Sequence, residues 1–465
     1  MIQRQYYPSN ITLQAVDVVT YQYLGRFRVL REAMGAAVFG LYAVAFGALS
    51  IHHVSYAVVG LICMFAFEQW GAIYLPFVAA NGTLVNIVIL AFVAIAWFRL
   101  PAGTSLEFVK YPTRTLLILF LGYAFVTTLW SPPDANATGR FLDEIHYLLA
   151  ALVVAPLLMR TTVDFSRVLD AVTWLGGSLV VLFAYVPDFE GRSLSMEYGL
   201  EETLGLPLAL GDFGGLVFLV TAFRMRASLI SIVWAAIVCG SALYLITQTG
   251  SRGQLFFAIG SLIICLPVRW KGFSVNRVMA LMLVVLIAIA AVYIVVNTEN
   301  TLSGRMLNTE DSTGAMARVE LVTVLMDAWI ADPSAMLFGL GSSASWSRSV
   351  LSGYSHVVPL EILGELGLVG FVFFSISVLT LFLQAFTGNH RKQLDQRALS
   401  NFAALFACWV FSLLLSCKQG TLLFSTGIFL YAALAEKCLH LNSAKMNRKS
   451  RQPRPAKLRK QQAAR

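Results

Sequence analysis

Charge is scarce in this chain: only 13% of its 465 residues are Asp, Glu, Lys or Arg, whereas 58% are hydrophobic and the mean hydropathy is +0.72. Soluble domains carry about 25% charged residues, so the composition excludes a water-soluble globular protein and calls for a bilayer. Cysteine is sparse as well. Cys63, Cys239, Cys265, Cys408, Cys417 and Cys438 form no Cys-x-x-Cys pair and no group with His at metal-ligand spacing, so neither a disulfide framework nor a zinc site is expected. The first 33 residues contain no short apolar stretch ahead of a small-residue cleavage site, so no removable signal peptide is expected. Also missing are a phosphate-binding loop, an Asp-x-Asp metal motif and a Gly-x-Ser-x-Gly elbow, which disfavours metal-dependent nucleotide-sugar chemistry. No metal and no cofactor is expected.

The charge that is present is unevenly spread. Lys and Arg number 34 against 25 acids, a net +9, and the stretch from Lys445 to Arg465 alone holds nine basic residues and no acid. Such an end reads as a disordered cytoplasmic tail drawn to anionic membrane lipids. A nucleic-acid partner is not expected, because the remainder is neutral and apolar.

Long apolar runs dominate the rest, roughly 34–51, 54–80, 84–98, 115–130, 145–159, 167–186, 203–223, 228–247, 251–268, 278–296, 357–387, 398–416 and 420–436. A crossing needs about 20 apolar residues, and helices are the plausible spanning form because barrel strands would alternate polar with apolar residues. Trp97, Trp130 and Trp270 stand at run ends, where interfacial rings belong. Five loops are basic: Arg99, Lys110 and Arg114; Arg160 and Arg167; Arg224 and Arg226; Arg269, Lys271 and Arg277; Arg391, Lys392 and Arg397. They alternate with acidic or weakly charged loops, such as that of Asp188, Glu190, Glu197, Glu201 and Glu202, and the positive-inside rule puts the basic set in the cytosol.

Thirteen runs would leave the N-terminus outside, against Arg26, Arg28 and Arg31; the region from 34 to 98, interrupted by His52-His53 and Glu68-Gln69, is where one run is expected to be interfacial or split. The expected fold is therefore an all-α polytopic membrane protein with about 12 transmembrane helices. Residues 1–33 form a cytoplasmic N-terminal segment, 34–296 the first spans, 297–356 a large external loop with short helices, 357–436 the last spans and 437–465 the basic tail.

The long loop draws functional interest by its length. Ala315 to Ile330 carries a helical pattern that Asp332-Pro333 ends, and Gly339-Leu340-Gly341 follows as a turn. Three basic side chains gather on this external side. Arg252 lies in Thr249-Gly250-Ser251-Arg252-Gly253-Gln254 at a helix start, Arg318 opens the loop helix, and His356 precedes the run beginning near Val357. Guanidinium groups are permanently charged and grip phosphate oxygens bidentately, and two beside a helix N-terminus suit a pyrophosphate. Arg252 also reads as an interfacial anchor, and Arg318 as one half of a surface salt bridge with Glu320 or Asp311. His356, at a water-exposed helix head, is either a base for a sugar hydroxyl or an N-cap without chemistry.

Glu361 and Glu365 lie on the same helix, to orient the imidazole or to pair with a neighbour. Asp212, in Leu210-Gly211-Asp212-Phe213-Gly214-Gly215, is either an intramembrane functional acid or the cap of a half-helix. Glu68 raises the same question. Arg140, Arg305, Arg348 and Lys418 either widen a phosphate-binding face or are solvated surface charges.

Taken in order, these motifs resemble the O-antigen ligase and polymerase superfamily of bacterial envelope glycan enzymes. Leu129-Trp130-Ser131-Pro132-Pro133-Asp134 resembles its Trp-Ser-Pro-Asp turn, and Thr249 to Gln254 its Ser-Arg-Gly motif. Ala317-Arg318-Val319-Glu320 with Asp332-Pro333 and Gly339-Leu340-Gly341 is similar to its large external loop. Ser355-His356 with Leu363-Gly364-Glu365-Leu366-Gly367-Leu368-Val369-Gly370 resembles its His-Asn and Glu-Leu-Gly-x-x-Gly helix start. Val357 stands where Asn often follows the His, and Val322 where an aromatic is common.

The resemblance implies an enzyme of the bacterial inner membrane with its site facing the periplasm. Its donor would be a glycan on undecaprenyl pyrophosphate and its acceptor a lipid such as lipid A-core or another glycan. It further implies that Arg252 and Arg318 hold the pyrophosphate, that His356 is the catalytic base or acceptor-positioning group, and that transfer needs no metal. Ser251, Glu365, Arg140, Arg305, Arg348 and Asp212 are candidates for support. The alternatives are a repeat-unit polymerase of the same superfamily and a lipid-linked glycan flippase or other transporter.

Overall fold

The computed structural model describes residues 33–101, 110–186, 195–198, 201–204, 207–226, 228–249, 252–269, 312–387 and 394–451. The region in question at the start resolves into an antiparallel helical hairpin. Ala33–His52 turns at His53 into Ala57–Tyr74, and the indole of Trp70 donates to the carbonyl of Gly35 at 3.0 Å near the open end. The run 54–80 is the split one: after Tyr74 the chain is extended at Leu75, Pro76 starts a short helix Pro76–Ala80, and Thr83–Phe98 follows unbroken after Asn81-Gly82.

The chain continues through Pro112–Thr127, two longer helical stretches Pro133–Leu158 and Thr162–Tyr185 that each contain one π turn, and then Pro207–Arg224, Leu229–Gln248 and Arg252–Arg269. After the loop helices Ser312–Ile330 and Pro333–Phe338 come Val358–Thr387, Gln396–Ser416 and Thr426–Arg451.

Among the described residues, seven helices are long and apolar enough to cross a membrane, and three shorter apolar helices accompany them. The run expected at 278–296 lies outside the described residues, as do Trp270 and the tail beyond Arg451, whereas residues 437–451, expected as the start of a disordered tail, continue the helix Thr426–Arg451. The all-α expectation holds, with one short addition in a loop. Ser195–Tyr198 and Glu201–Leu204 pair as an antiparallel hairpin, Ser195 opposite Leu204. Glu197 faces Glu202 in that register, within the acidic loop that the helical periodicity left unassigned.

Burial separates centre from rim. In Gln396–Ser416, 83% of the apolar window is buried, against 33% in Leu229–Gln248, whose Leu229, Ile230, Ile232, Val233 and Ile237 are exposed. A row of exposed aliphatic side chains on an outer helix is what acyl chains would cover, since water would penalise it at about 25 cal/mol per Å². The central helix packs instead on Pro207–Arg224, Arg252–Arg269 and Thr426–Arg451, and its buried Phe406 and Trp409 rings meet Phe382 of the Val358–Thr387 helix.

The basic loops collect at one end. Arg99 donates to the carbonyl of Ile51 at 2.7 Å, Arg167 pairs with Asp164 at 3.3 Å, Arg397 donates to Ser166 at 2.9 Å, and Arg224 and Arg226 share Asp170. At the same end the carboxylate of Glu436 accepts the backbone N–H groups of Thr113 and Arg114 at 2.7 and 2.9 Å, satisfying orphan donors of the Pro112–Thr127 helix start. The loops at 128–136, 339–357 and 417–425 occupy the opposite face.

One helix on that face is not the simple span its hydropathy suggests. Val358–Thr387 is interrupted at Gly367, whose φ of 66° and ψ of −170° are not helical. Beyond the break, about 20 residues at roughly 1.5 Å each suffice for a ~30 Å hydrocarbon core. The turns before it are thus free to serve the face. Carbonyls released by the break are taken up by the loop: Gly364 accepts from Leu340 N–H at 3.0 Å and Glu365 from Gly341 N–H at 2.9 Å. A Cβ on Gly367 would sit 2.4 Å from both the nitrogen of Gly339 and the carbonyl oxygen of Leu337. Gly367→Ala is therefore expected to destabilise the protein by roughly 3 kcal/mol, from left-handed strain plus a backbone collision. Thermal unfolding in detergent would register it, and an unchanged midpoint would refute this packing.

Candidate active site

The loop following Pro333–Phe338 is built on strained backbone. Among the described residues, four non-glycines have positive φ: Asn136, Ser343, Ser352 and His356, and all four belong to this face. His356 has φ 62° and sits half-buried two residues ahead of Val358. Left-handed backbone costs an L-residue about 1–2 kcal/mol and persists where surroundings over-determine it. Here the surroundings are Tyr354, whose ring lies 4.2 Å from the imidazole, and Ser355, whose hydroxyl accepts from Val357 N–H at 3.3 Å.

Arg318 from the Ser312–Ile330 helix lies close enough to act on the imidazole electrostatically. Burial first, and the guanidinium second, hold the His356 pKa below the ordinary 6.5. The ring is thus mostly neutral at pH 7, with a nitrogen lone pair available. Among the described residues no carboxylate lies within ion-pair distance of Arg318, so the surface salt bridge to Glu320 does not form; Asp311 lies outside the described residues.

Two buried carboxylates hold this loop. Glu365 accepts from Ser343 N–H at 2.7 Å, Ser345 N–H at 3.1 Å and the Ser345 hydroxyl at 2.6 Å. It therefore fixes the turn after Gly341 and does not touch the imidazole. Glu361, one turn earlier, accepts from the Thr421 hydroxyl and from Leu422 N–H at 3.0 Å, reaching the loop after Gln396–Ser416. The Trp130-Ser131 turn closes the other side. Trp130 donates to the Gly339 carbonyl at 3.1 Å, Ser131 to the Ser342 carbonyl at 2.8 Å, and Thr127 accepts from Ser342 N–H at 3.1 Å. Trp130 is thus more than an interfacial anchor.

Arg252 is the first residue of its helix; its backbone is described, its side chain is not. Two residues on, Gln254 is fully buried and its amide nitrogen donates to Asp212 at 3.1 Å and to Gln419 Oε1 at 2.7 Å. Gln419 in turn donates to both carboxylate oxygens of Asp212, at 2.8 and 2.9 Å. Pro207–Arg224 runs unbroken through Asp212, so the half-helix cap is corrected: the Gly residues around it permit close packing, and the carboxylate binds side-chain amides of two other elements. Glu68 likewise pairs locally, accepting from Asn86 at 2.9 Å.

Of the remaining candidates, Arg140 and Arg348 also lie on this face. Arg140 stacks over the Trp346 ring at 3.8 Å and lies within electrostatic reach of Glu365. Trp346 and Tyr354 have ring centroids 5.5 Å apart, so a column of contacts runs from Arg140 through Trp346 and Tyr354 to His356. Arg348 is exposed, and its N–H donates to Asp134 at 2.9 Å. Ser251 and Arg305 lie outside the described residues. Among the described residues no three His, Cys, Asp or Glu side chains gather as a metal-ligand set.

Part of this face falls in the region that is recognisable by comparison. Residues 235–375 match the family model described as O-antigen ligase. That region belongs to the O-antigen ligase superfamily. The match runs from the helix before Arg252 to the second half of the broken helix, and so contains Arg252, Arg318 and His356. No curated protein matches the chain. The apolar helices make the chain a membrane protein, and the match supports the glycan-processing class, whose members in general act on lipid-linked glycans.

Sequence reasoning missed Tyr354, Gln254, Gln419 and Thr421. Their signal was weak but present: polar residues inside or beside apolar runs, which a bilayer tolerates only when paired.

Proposed function

We propose that the protein is an integral-membrane glycan transferase of the ligase type. It moves a glycan from undecaprenyl pyrophosphate to an acceptor hydroxyl at the periplasmic face of the inner membrane. The observation that carries this reading is the proximity of Arg318 to a neutral-leaning His356 on a loop within the matched region.

The chemistry follows from the leaving group. The acceptor oxygen attacks the anomeric carbon, the bond from that carbon to the phosphate oxygen breaks, and its electron pair stays on the pyrophosphate. The hydroxyl proton passes to the His356 imidazole. Arg252 and Arg318 are read as the groups that hold the phosphates and offset the negative charge that grows during cleavage. His356 is read as the base or acceptor-positioning group. Fixed guanidinium charges would do this without a cation, so transfer should survive a chelator. The basic end faces the cytosol in this reading, and anionic lipids meet the tail there.

The test is transfer by the purified protein in the presence of chelator, with a polyprenyl-pyrophosphate glycan as donor and lipid A-core or a second lipid-linked repeat as acceptor. One glycan moved to the lipid supports a ligase, a ladder of repeats identifies a polymerase, and no transfer by folded protein favours transport.

A pH prediction attaches to Arg318. Burial, and then the Arg318 charge, oppose protonation of His356, so the acid limb of kcat/KM should lie below pH 6.5, and Arg318→Gln should move it part of the way upward. A limb that stays in place or moves down would separate the two residues.

A further inference from the structure

The loop Cys417–Ser425 lies beyond the matched region, yet it joins both halves of the site. Thr421 and Leu422 bind Glu361, on the helix that His356 precedes, and Gln419 binds Asp212 and Gln254 beside the start of the Arg252 helix. Lys418 stands next to Gln419, the first of these anchors in the chain. Its side chain lies directly on Gly253: a Cβ there would be 2.5 Å from both Cδ and Nζ of Lys418 and 2.9 Å from Cε. The space that Gly253 leaves empty is therefore filled by an ammonium group adjoining the residue after Arg252.

A second observation comes from the buried amides. Gln254 spends its NH₂ on Asp212 and Gln419, and its Oε1 is buried without a hydrogen-bond partner among the described residues. An orphan acceptor calls for a donor, as a hydroxyl of the sugar adjoining a bound pyrophosphate would supply.

We propose that Lys418 is a further cation of the donor-phosphate site, held against the Arg252 helix start by the Asp212–Gln254–Gln419 cluster. The inference rests on reading that helix start as the pyrophosphate site. Asp212 is then a positioning residue. Through Gln419 it fixes the loop, and its carboxylate lies close enough to balance the Lys418 charge when no substrate is bound. An ammonium is a point charge with three donors, suited to phosphate oxygens that arginine forks do not reach.

The experiment uses the full-length protein in lipid nanodiscs, a polyprenyl-pyrophosphate glycan as donor and inorganic pyrophosphate as competitor. A charge-assisted hydrogen bond lost in Lys418→Ala should raise donor KM roughly 10- to 100-fold and weaken pyrophosphate inhibition in parallel. Lys418→Arg should recover most of the loss. Gly253→Ala should reproduce the defect, because its methyl displaces the flexible end of Lys418, and the Gly253→Ala/Lys418→Ala double variant should be no worse than Lys418→Ala alone.

Wild-type donor KM in Lys418→Ala overturns the proposal. So does recovery in Asp212→Asn/Lys418→Gln, which would reduce Lys418 to a counter-ion for Asp212. If Arg252→Ala and Arg318→Ala are impaired while Lys418→Ala is silent, only this inference fails. If all three are silent, the reading of the pyrophosphate site fails with it.

Discussion

Glu365→Ala is expected to destabilise the protein by roughly 3 kcal/mol and to abolish transfer with it, because the substitution leaves buried donors without an acceptor. Three donors converge on that carboxylate, two of them backbone N–H groups of the strained Ser343–Ser345 turn. Without it, the left-handed Ser343 loses the acceptor of its own N–H and keeps the turn bond that its carbonyl accepts from Trp346 N–H at 3.0 Å. Glu365→Gln, which keeps one acceptor oxygen, should lose less. The measurement is a thermal midpoint in detergent beside a transfer rate. A Glu365→Ala protein with wild-type midpoint would mean that the loop is held by other contacts.

His356→Ala should behave in the opposite way, keeping the fold while transfer falls by about 10²- to 10⁴-fold, the usual contribution of a positioned acid–base group. The left-handed φ adds an internal control. His356→Gly relieves the strain and should be about 1 kcal/mol more stable than His356→Ala, yet equally inactive. Restored activity in the glycine variant would show that backbone shape at 356, and not the imidazole, is what transfer requires.

The parts legible in the sequence were those with a local cause. The loop helix ends at Ile330 ahead of Asp332-Pro333, Gly339 and Gly341 turn the chain at positive φ, and the basic loops gather at one end, all as composition and spacing imply. The break at Gly367 was not legible. The run from Val358 to Thr387 reads as one span because hydropathy is blind to φ, and the release of two carbonyls becomes visible only when Leu340 and Gly341 are seen to use them. Asp212 illustrates the same limit. Its neighbouring glycines suggested a cap, whereas its partners come from positions 254 and 419, and no periodicity links such distant amides. That Arg318 and His356 share one face was an expectation from motif order, whereas the contact of Tyr354 with the imidazole and the left-handed backbone at His356 had no signal in the sequence.

The central claim is a division of labour: the arginines hold the donor's pyrophosphate and His356 acts on the acceptor. Donor affinity and transfer rate measured side by side on Arg252→Ala, Arg318→Ala and His356→Ala test it most directly. The account predicts donor binding weakened roughly tenfold or more by each arginine substitution, and unchanged by His356→Ala even as transfer collapses. Wild-type transfer by His356→Ala, or donor binding indifferent to both arginines, would contradict it.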